Sequence, residues 1–229
     1  MSKFIIIYEI LENIARYLTP FPILLYLIAG SKSDLGKRVV FYFMVYNLTK
    51  VVISGINNVY YPLSINYYNQ ALYTPIELSF FSFFFYHKIE HSTFKKINIG
   101  VVIAFWIYIL WFSEESWGSV FDSIPTTIES IIIIAYCLLY FHQEIKKPAT
   151  EYMYSKTDFW IVSALFLYMS GNFFIYMYAA QLLLQQDFAN MYMIIHGIFY
   201  SIRNIIFSMI MFLPLNNGID NIASSKAVR

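Results

Sequence analysis

The chain has 229 residues, of which 59% are hydrophobic and 21% aromatic, while only 13% are charged, against roughly a quarter in an ordinary soluble domain. This shortage of charge argues against a water-soluble globular fold, because such a fold needs a polar shell. The net charge of +1 argues against nucleic acid as a partner, and a single cysteine, Cys137, excludes an internal disulfide framework.

Seven apolar windows are long enough to cross a bilayer as helices, since the hydrocarbon core requires about 20 helical residues. They predict an all-α polytopic membrane protein with seven transmembrane helices. Residues 1–215 form one bundle in this interpretation, and residues 216–229 form a short polar cytoplasmic tail. In chain order the predicted spans are Phe4 to Leu27, Lys37 to Asn57, Tyr67 to His87, Ile97 to Ser113, Ile124 to Gln143, Asp158 to Leu184 and Asn190 to Phe212.

The lysines and arginines predict the orientation of these spans. Eleven of them follow spans one, three and five or lie in the tail, whereas the loops after spans two, four and six contain none. By the positive-inside rule, the N-terminus is therefore outside and the C-terminus cytoplasmic. An odd number of spans also requires opposite termini, so the span count and the charge asymmetry agree.

Ionisable side chains inside the spans lie at helix-face spacings, so each helix is expected to turn one polar stripe toward a shared interior. Each such group costs about 2.5 to 3.5 kcal/mol on membrane-insertion scales, so the groups must be paired, protonated or hydrated. Intramembrane ionisable residues are candidates for function, although a structural network that fixes helix packing is the alternative interpretation. The predicted ligand-binding or ion-relay residues are Glu12, Arg16, Lys50, Glu77, Glu129, His196 and Arg203. Span four has no ionisable residue and is expected to be a peripheral or linking helix, with three spans on either side of it.

One string matches a catalytic pattern. His87-Lys88-Ile89-Glu90-His91 fits H-x-x-E-H, in which two histidines on one helix face bind zinc and a glutamate activates water. His142, at the cytoplasmic end of span five, is a candidate third ligand. The string lies in a basic loop at the membrane edge, where histidines are common, and no phosphate loop or nucleophile elbow accompanies it. The sequence therefore favours a protein that is not an enzyme and needs no cofactor, with zinc as the alternative.

Two aromatic-rich strings carry a resemblance. Asn57 to Tyr86 (NNVYYPLSINYYNQALYTPIELSFFSFFFY) and Asp158 to Tyr178 (DFWIVSALFLYMSGNFFIYMY) resemble segments of small seven-helix bacterial inner-membrane proteins with no assigned activity. The resemblance implies a location in the bacterial inner membrane and no particular catalytic residues. The predicted topology is also similar to that of microbial rhodopsins, but span seven lacks the lysine to which retinal would attach.

These observations favour a receptor-like or sensory protein that binds a small ligand or ion in a charged intramembrane pocket. Lacking an output domain, it would signal through a partner protein that contacts its cytoplasmic loops or tail. A transporter of small solutes or a proton-coupled carrier, acting as a homo-oligomer, is the first alternative. The second alternative is a membrane-embedded metal-dependent hydrolase at His87, His91 and His142.

Overall fold

The structure, a computed structural model, describes residues 14, 17–29, 34–60, 72–116, 123–147, 153–182 and 186–212. These residues form an all-α fold, in agreement with the predicted fold class. The predicted tail, residues 216–229, lies outside the described residues. The α-helices, in chain order, are α1 (Phe21–Ala29), α2 (Leu35–Tyr60), α3 (Tyr73–Lys88), α4 (Ser92–Ser116), α5 (Ser123–Lys146), α6 (Thr157–Leu182) and α7 (Gln186–Phe212), with a short 3-10 helix at Met153–Ser155 before α6.

Several helix starts follow from local chemistry. Asp34 precedes α2, and its Oδ1 accepts a hydrogen bond of 2.9 Å from the backbone N–H of Gly36, as a helix-capping side chain does. Pro75 and Pro125 lie in the first turns of α3 and α5, where a backbone N–H has no partner within the helix. Proline is therefore tolerated at both positions.

The predicted first span is interrupted. Tyr17 and Leu18 are helical, Thr19 and Pro20 form a turn, and α1 begins only at Phe21. Proline lacks a backbone N–H and disfavours helical geometry at the residue before it, which explains a break at Thr19 and Pro20. The prediction of one continuous helix from Phe4 to Leu27 is therefore wrong, because the turn at Thr19 and Pro20 interrupts it.

Within the described part of the chain, four helices are long and apolar enough to cross a bilayer. They are α4 to α7, over Ser92–Trp111, Ile124–Lys146, Thr157–Tyr178 and Met191–Phe212. The described residues of α1 and α3 number only 9 and 16, fewer than the about 20 that a full crossing requires. The chain is thus a helical membrane protein in which four predicted spans have counterparts that are both long and apolar enough to cross the bilayer.

Six of the seven described helices form a closed ring, and the other one lies outside it. Around the ring, α1 contacts α2, α2 contacts α3, α3 contacts α5, α5 contacts α6, α6 contacts α7, and α7 contacts α1. Helix α2 also reaches α6 and α7. Among the described elements α4 packs chiefly against α3, and one of its faces exposes apolar side chains, as expected for a helix that meets lipid. This face includes Ile103, Ile107, Leu110 and Trp111. The peripheral position predicted for span four is confirmed.

The contact between α6 and α7 gives a test of the packing. A methyl group on Gly171 of α6 would overlap the ring of Phe199 on α7. We expect Gly171→Ala to lower the free energy of unfolding by about 1–3 kcal/mol, because inserted volume forces packed neighbours to move. Denaturant unfolding of the purified protein in detergent micelles measures this loss.

Gly100 on α4 offers the matched control. No atom lies within 4 Å of the position that a Cβ on Gly100 would occupy, so Gly100→Ala should cause no loss of stability. Equal unfolding curves for Gly171→Ala and Gly100→Ala would contradict the close approach of α6 and α7 at this point.

Candidate functional site

A fully buried ion pair lies between α3 and α7. Nη1 of Arg203 donates to Oε1 of Glu77 over 2.9 Å, and the two side chains are 0% and 2% exposed. Both residues are predicted site residues, and the structure brings them into direct contact. A buried ion pair contributes little net stability over apolar residues of the same volume. The pair therefore needs an explanation beyond the stability of the fold.

Aromatic rings surround the guanidinium of Arg203. Its Cζ lies 4.0 Å from the centroid of the Tyr168 ring on α6 and 4.7 Å from that of Tyr200 on α7. Phe43 on α2 and Phe207 on α7 follow at 5.3 and 6.0 Å. The ring faces attract the cation and hold it away from lipid. Arg203 is thus fixed by residues from three helices.

Lys50 reaches the same region from α2. Its Nζ lies 3.7 Å from the centroid of the Tyr73 ring, and the Tyr73 hydroxyl donates a hydrogen bond to Glu77. Lys50 also interacts electrostatically with Glu77 and Glu129. We call the four ionisable residues Lys50, Glu77, Glu129 and Arg203 the polar centre.

Several buried polar atoms of the polar centre lack partners. Among the described residues, Oε1 of Glu129 has no hydrogen-bond partner, and neither do Nε and Nη2 of Arg203. Glu129 is 1% exposed on α5 and interacts electrostatically with Glu77, Arg203 and Lys50. Buried polar groups are usually hydrogen-bonded, and each exception requires a specific reason. The polar centre therefore contains an unmatched acceptor and an unmatched pair of donors.

His196 belongs to a hydrogen-bonded chain beside the polar centre. The Tyr176 hydroxyl lies 3.1 Å from Nδ1 of His196 and 3.1 Å from the Tyr168 hydroxyl. The Tyr192 ring is stacked on the imidazole at 5.7 Å between centroids. Since Tyr168 also contacts Arg203, the chain joins His196 to the polar centre.

The sequence interpretation missed Tyr168 and Tyr176. Together with Asn172 they recur every four residues along α6, which places all three on one helix face. That spacing is the signal that could have revealed a polar stripe in span six.

The structure describes only some of the remaining predicted site residues. Glu12 and Arg16 lie outside the described residues. Nδ1 of His87 lies 2.9 Å from the carbonyl oxygen of Phe83, while His91 and His142 are exposed. Within the described ranges, no three His, Cys, Asp or Glu side chains form a group able to hold a metal ion. Zinc at these histidines stays a prediction from the sequence alone.

Charges also gather at the ends of α3, α5 and α6. Lys88 pairs with Asp158 at 2.6 Å, and Glu144 pairs with both Lys147 and Lys156 at 2.8 and 2.7 Å. Partial burial alone would lower the pKa of Lys147, but its hydrogen bonds to Glu144 and Glu90 raise that pKa above the ordinary lysine value. These ion pairs are explained by their role in connecting the helix ends. The polar centre is therefore the candidate functional site.

Comparisons of this chain with protein-family profiles, with curated proteins and with solved structures find no match. The assignment of a function therefore depends on the physical chemistry of the polar centre.

Proposed function

We propose that the chain is a seven-span integral membrane protein that binds a small ligand or ion at the polar centre, in the manner of a receptor. The proposal places the N-terminus outside, the C-terminus in the cytoplasm and the protein in a bacterial inner membrane. The asymmetric distribution of basic side chains supports the orientation. The four apolar helices of spanning length support the membrane location.

The unmatched polar atoms around the Arg203–Glu77 pair carry this proposal. Removing two charges from water costs free energy. The attraction between the charges offsets that cost only when the remaining polar atoms of both side chains also have hydrogen-bond partners. Here Nε and Nη2 of Arg203 and Oε1 of Glu129 find none among the described residues. A network that served packing alone would be expected to satisfy them. A bound ligand or ion that pairs with these atoms explains why the protein keeps polar side chains at these buried positions.

Cysteine labelling distinguishes a receptor from a carrier. In a Cys137→Ala background, we expect Lys50→Cys and His196→Cys to react with a membrane-impermeant maleimide from the outside only. Both side chains are partly accessible. Lys50 belongs to the polar centre and His196 lies beside it, and a receptor needs to open only toward its ligand. A carrier must expose the same groups alternately to both sides, so labelling from both sides would replace the receptor interpretation with transport.

Two exposed positions serve as controls for sidedness. Ile124 is the first residue of the predicted fifth span, and Lys96 lies in the basic segment before the predicted fourth. We expect Ile124→Cys to react in intact cells and Lys96→Cys only after the membrane is opened. The reverse pattern would invert the proposed orientation. No reaction of Lys50→Cys or His196→Cys from either side, with both controls reactive, would contradict an accessible binding site.

A further inference from the structure

The unmatched atoms of the polar centre specify two kinds of ligand group. Arg203 uses Nη1 for Glu77, while Nε and Nη2 on its other edge have no partner within the described residues. Adjacent N–H donors of a guanidinium match the two oxygens of a carboxylate, because their spacing and plane agree. Oε1 of Glu129 requires the opposite, a donor such as an ammonium N–H.

The charge balance of the polar centre then restricts the net charge of the ligand. Two basic residues, Lys50 and Arg203, face two carboxyl groups, Glu77 and Glu129, so the formal charges already cancel. A net anion or a net cation would leave one uncompensated charge deep in the protein, where such a charge is costly. A zwitterion brings both required groups and keeps the balance.

The surroundings also indicate the rest of the ligand. Rings of Phe43, Tyr168, Tyr200 and Phe207 lie within 6.0 Å of the Arg203 guanidinium. Aromatic side chains favour contact with apolar groups, and these rings offer no charged partner to a second ionic group on the ligand.

We propose that the ligand of the polar centre is a small amino acid with an apolar side chain, whose carboxylate binds Nε and Nη2 of Arg203 and whose ammonium binds Glu129. This inference rests on the proposed function, because it assigns a chemical class to the ligand of the same site.

Matched probes test the two ends of the ligand separately. Wild-type protein in lipid nanodiscs is titrated calorimetrically with L-leucine, with 4-methylpentanoate, which lacks the amino group, and with 3-methylbutylamine, which lacks the carboxylate. L-Phenylalanine, 3-phenylpropanoate and 2-phenylethylamine form a second set. We expect each amino acid to bind at least about tenfold more tightly than either of its analogues, because each analogue leaves a buried polar group unpaired.

The Glu129→Gln variant sharpens the assignment of the ammonium site. It should reduce the preference for L-leucine over 4-methylpentanoate from about tenfold or more to less than about threefold, because only the charged partner of the amino group is lost. Ser130→Ala is the matched control at the adjacent buried position, where the serine hydroxyl donates to the carbonyl oxygen of Thr126 over 2.8 Å. It should keep the full preference.

Three outcomes would overturn the inference. They are equal binding of the amino acid and one of its analogues, failure of all six probes to bind, and an unchanged preference in Glu129→Gln. The labelling of Lys50→Cys and His196→Cys decides the proposed function independently. If the two cysteines react from outside while all six probes fail, the binding site stands and the amino-acid class is wrong.

Discussion

Replacing Glu77 with alanine is expected to destabilise the protein by about 3–5 kcal/mol, because the guanidinium of Arg203 stays charged and buried after its partner is removed. The structure supports a loss of this size, since Arg203 is 0% exposed and its bond to Glu77 is 2.9 Å long. Reversible unfolding of the purified protein in mixed micelles measures the difference. Arg203→Met should also lower the free energy of unfolding in the same experiment. The loss should be smaller than that of Glu77→Ala, because the carboxyl group of Glu77 can become neutral by gaining a proton.

Two further variants make this prediction specific. The double substitution Glu77→Leu with Arg203→Met should be far less destabilising than the sum of the two single changes, because no charge remains unpaired. The pair of Lys147 with Glu90 is an ion pair of similar length, 2.9 Å, in which the two side chains are 37% and 74% exposed. Glu90→Ala should cost less than about 1 kcal/mol, as exposed ion pairs do. Similar losses in Glu77→Ala and Glu90→Ala would show that the Glu77 pair is accessible to water.

Replacing Glu129 with leucine is expected to have the opposite effect on stability. Oε1 of Glu129 is buried without a partner among the described residues, and such a group costs about 1–3 kcal/mol. Leucine has a similar volume and no polar atom, and the charge of Lys50 can be hydrated after the carboxyl group is removed, because that side chain is partly accessible. Glu129→Leu should therefore raise the free energy of unfolding by that amount. The same variant should lose ligand binding, since the acceptor for the ligand is removed.

A gain of stability together with a loss of binding would identify Glu129 as a residue retained for function. Glu129→Gln, which keeps the shape and removes the ionisable group, separates the effect of charge from that of packing. Ser130→Ala should change both stability and binding little. If Glu129→Leu destabilises the protein as much as Glu77→Ala does, Glu129 is a structural partner and the functional interpretation of its position is wrong.

The members of the polar centre could be predicted from the sequence, but their pairing could not. Spacing along a helix determines which residues share a face, and this was sufficient to select Lys50, Glu77, Glu129 and Arg203. The partner of Arg203 depends on how far each helix is rotated relative to its neighbours. That rotation is set by the packing of Phe43, Phe81 and other core side chains, which no single-helix pattern contains.

Two other features of the structure, the polar face of α6 and the start of α1, were difficult to predict from the sequence for different reasons. In a chain that is 21% aromatic, a tyrosine carries little information, so the polar face formed by Tyr168, Asn172 and Tyr176 did not stand out. Pro20 marks a point of local weakness in the predicted first span, but the apolar residues on both sides favour one continuous helix there. Hydrophobicity predicts that a segment enters the bilayer, whereas the backbone chemistry of proline determines where its helix begins.

The order of helices around the ring also has a consequence for biosynthesis. Helix α7 closes the ring by contacting α1 and α6, and it is the last of the described helices to leave the ribosome. Arg203 lies on α7, so Glu77 and Glu129 are synthesised before the guanidinium that interacts with them. During this interval the nascent bundle holds two carboxyl groups without that cation. Closure of the described ring is therefore also a neutralisation step, in which the arrival of α7 completes the ring and the charge balance together.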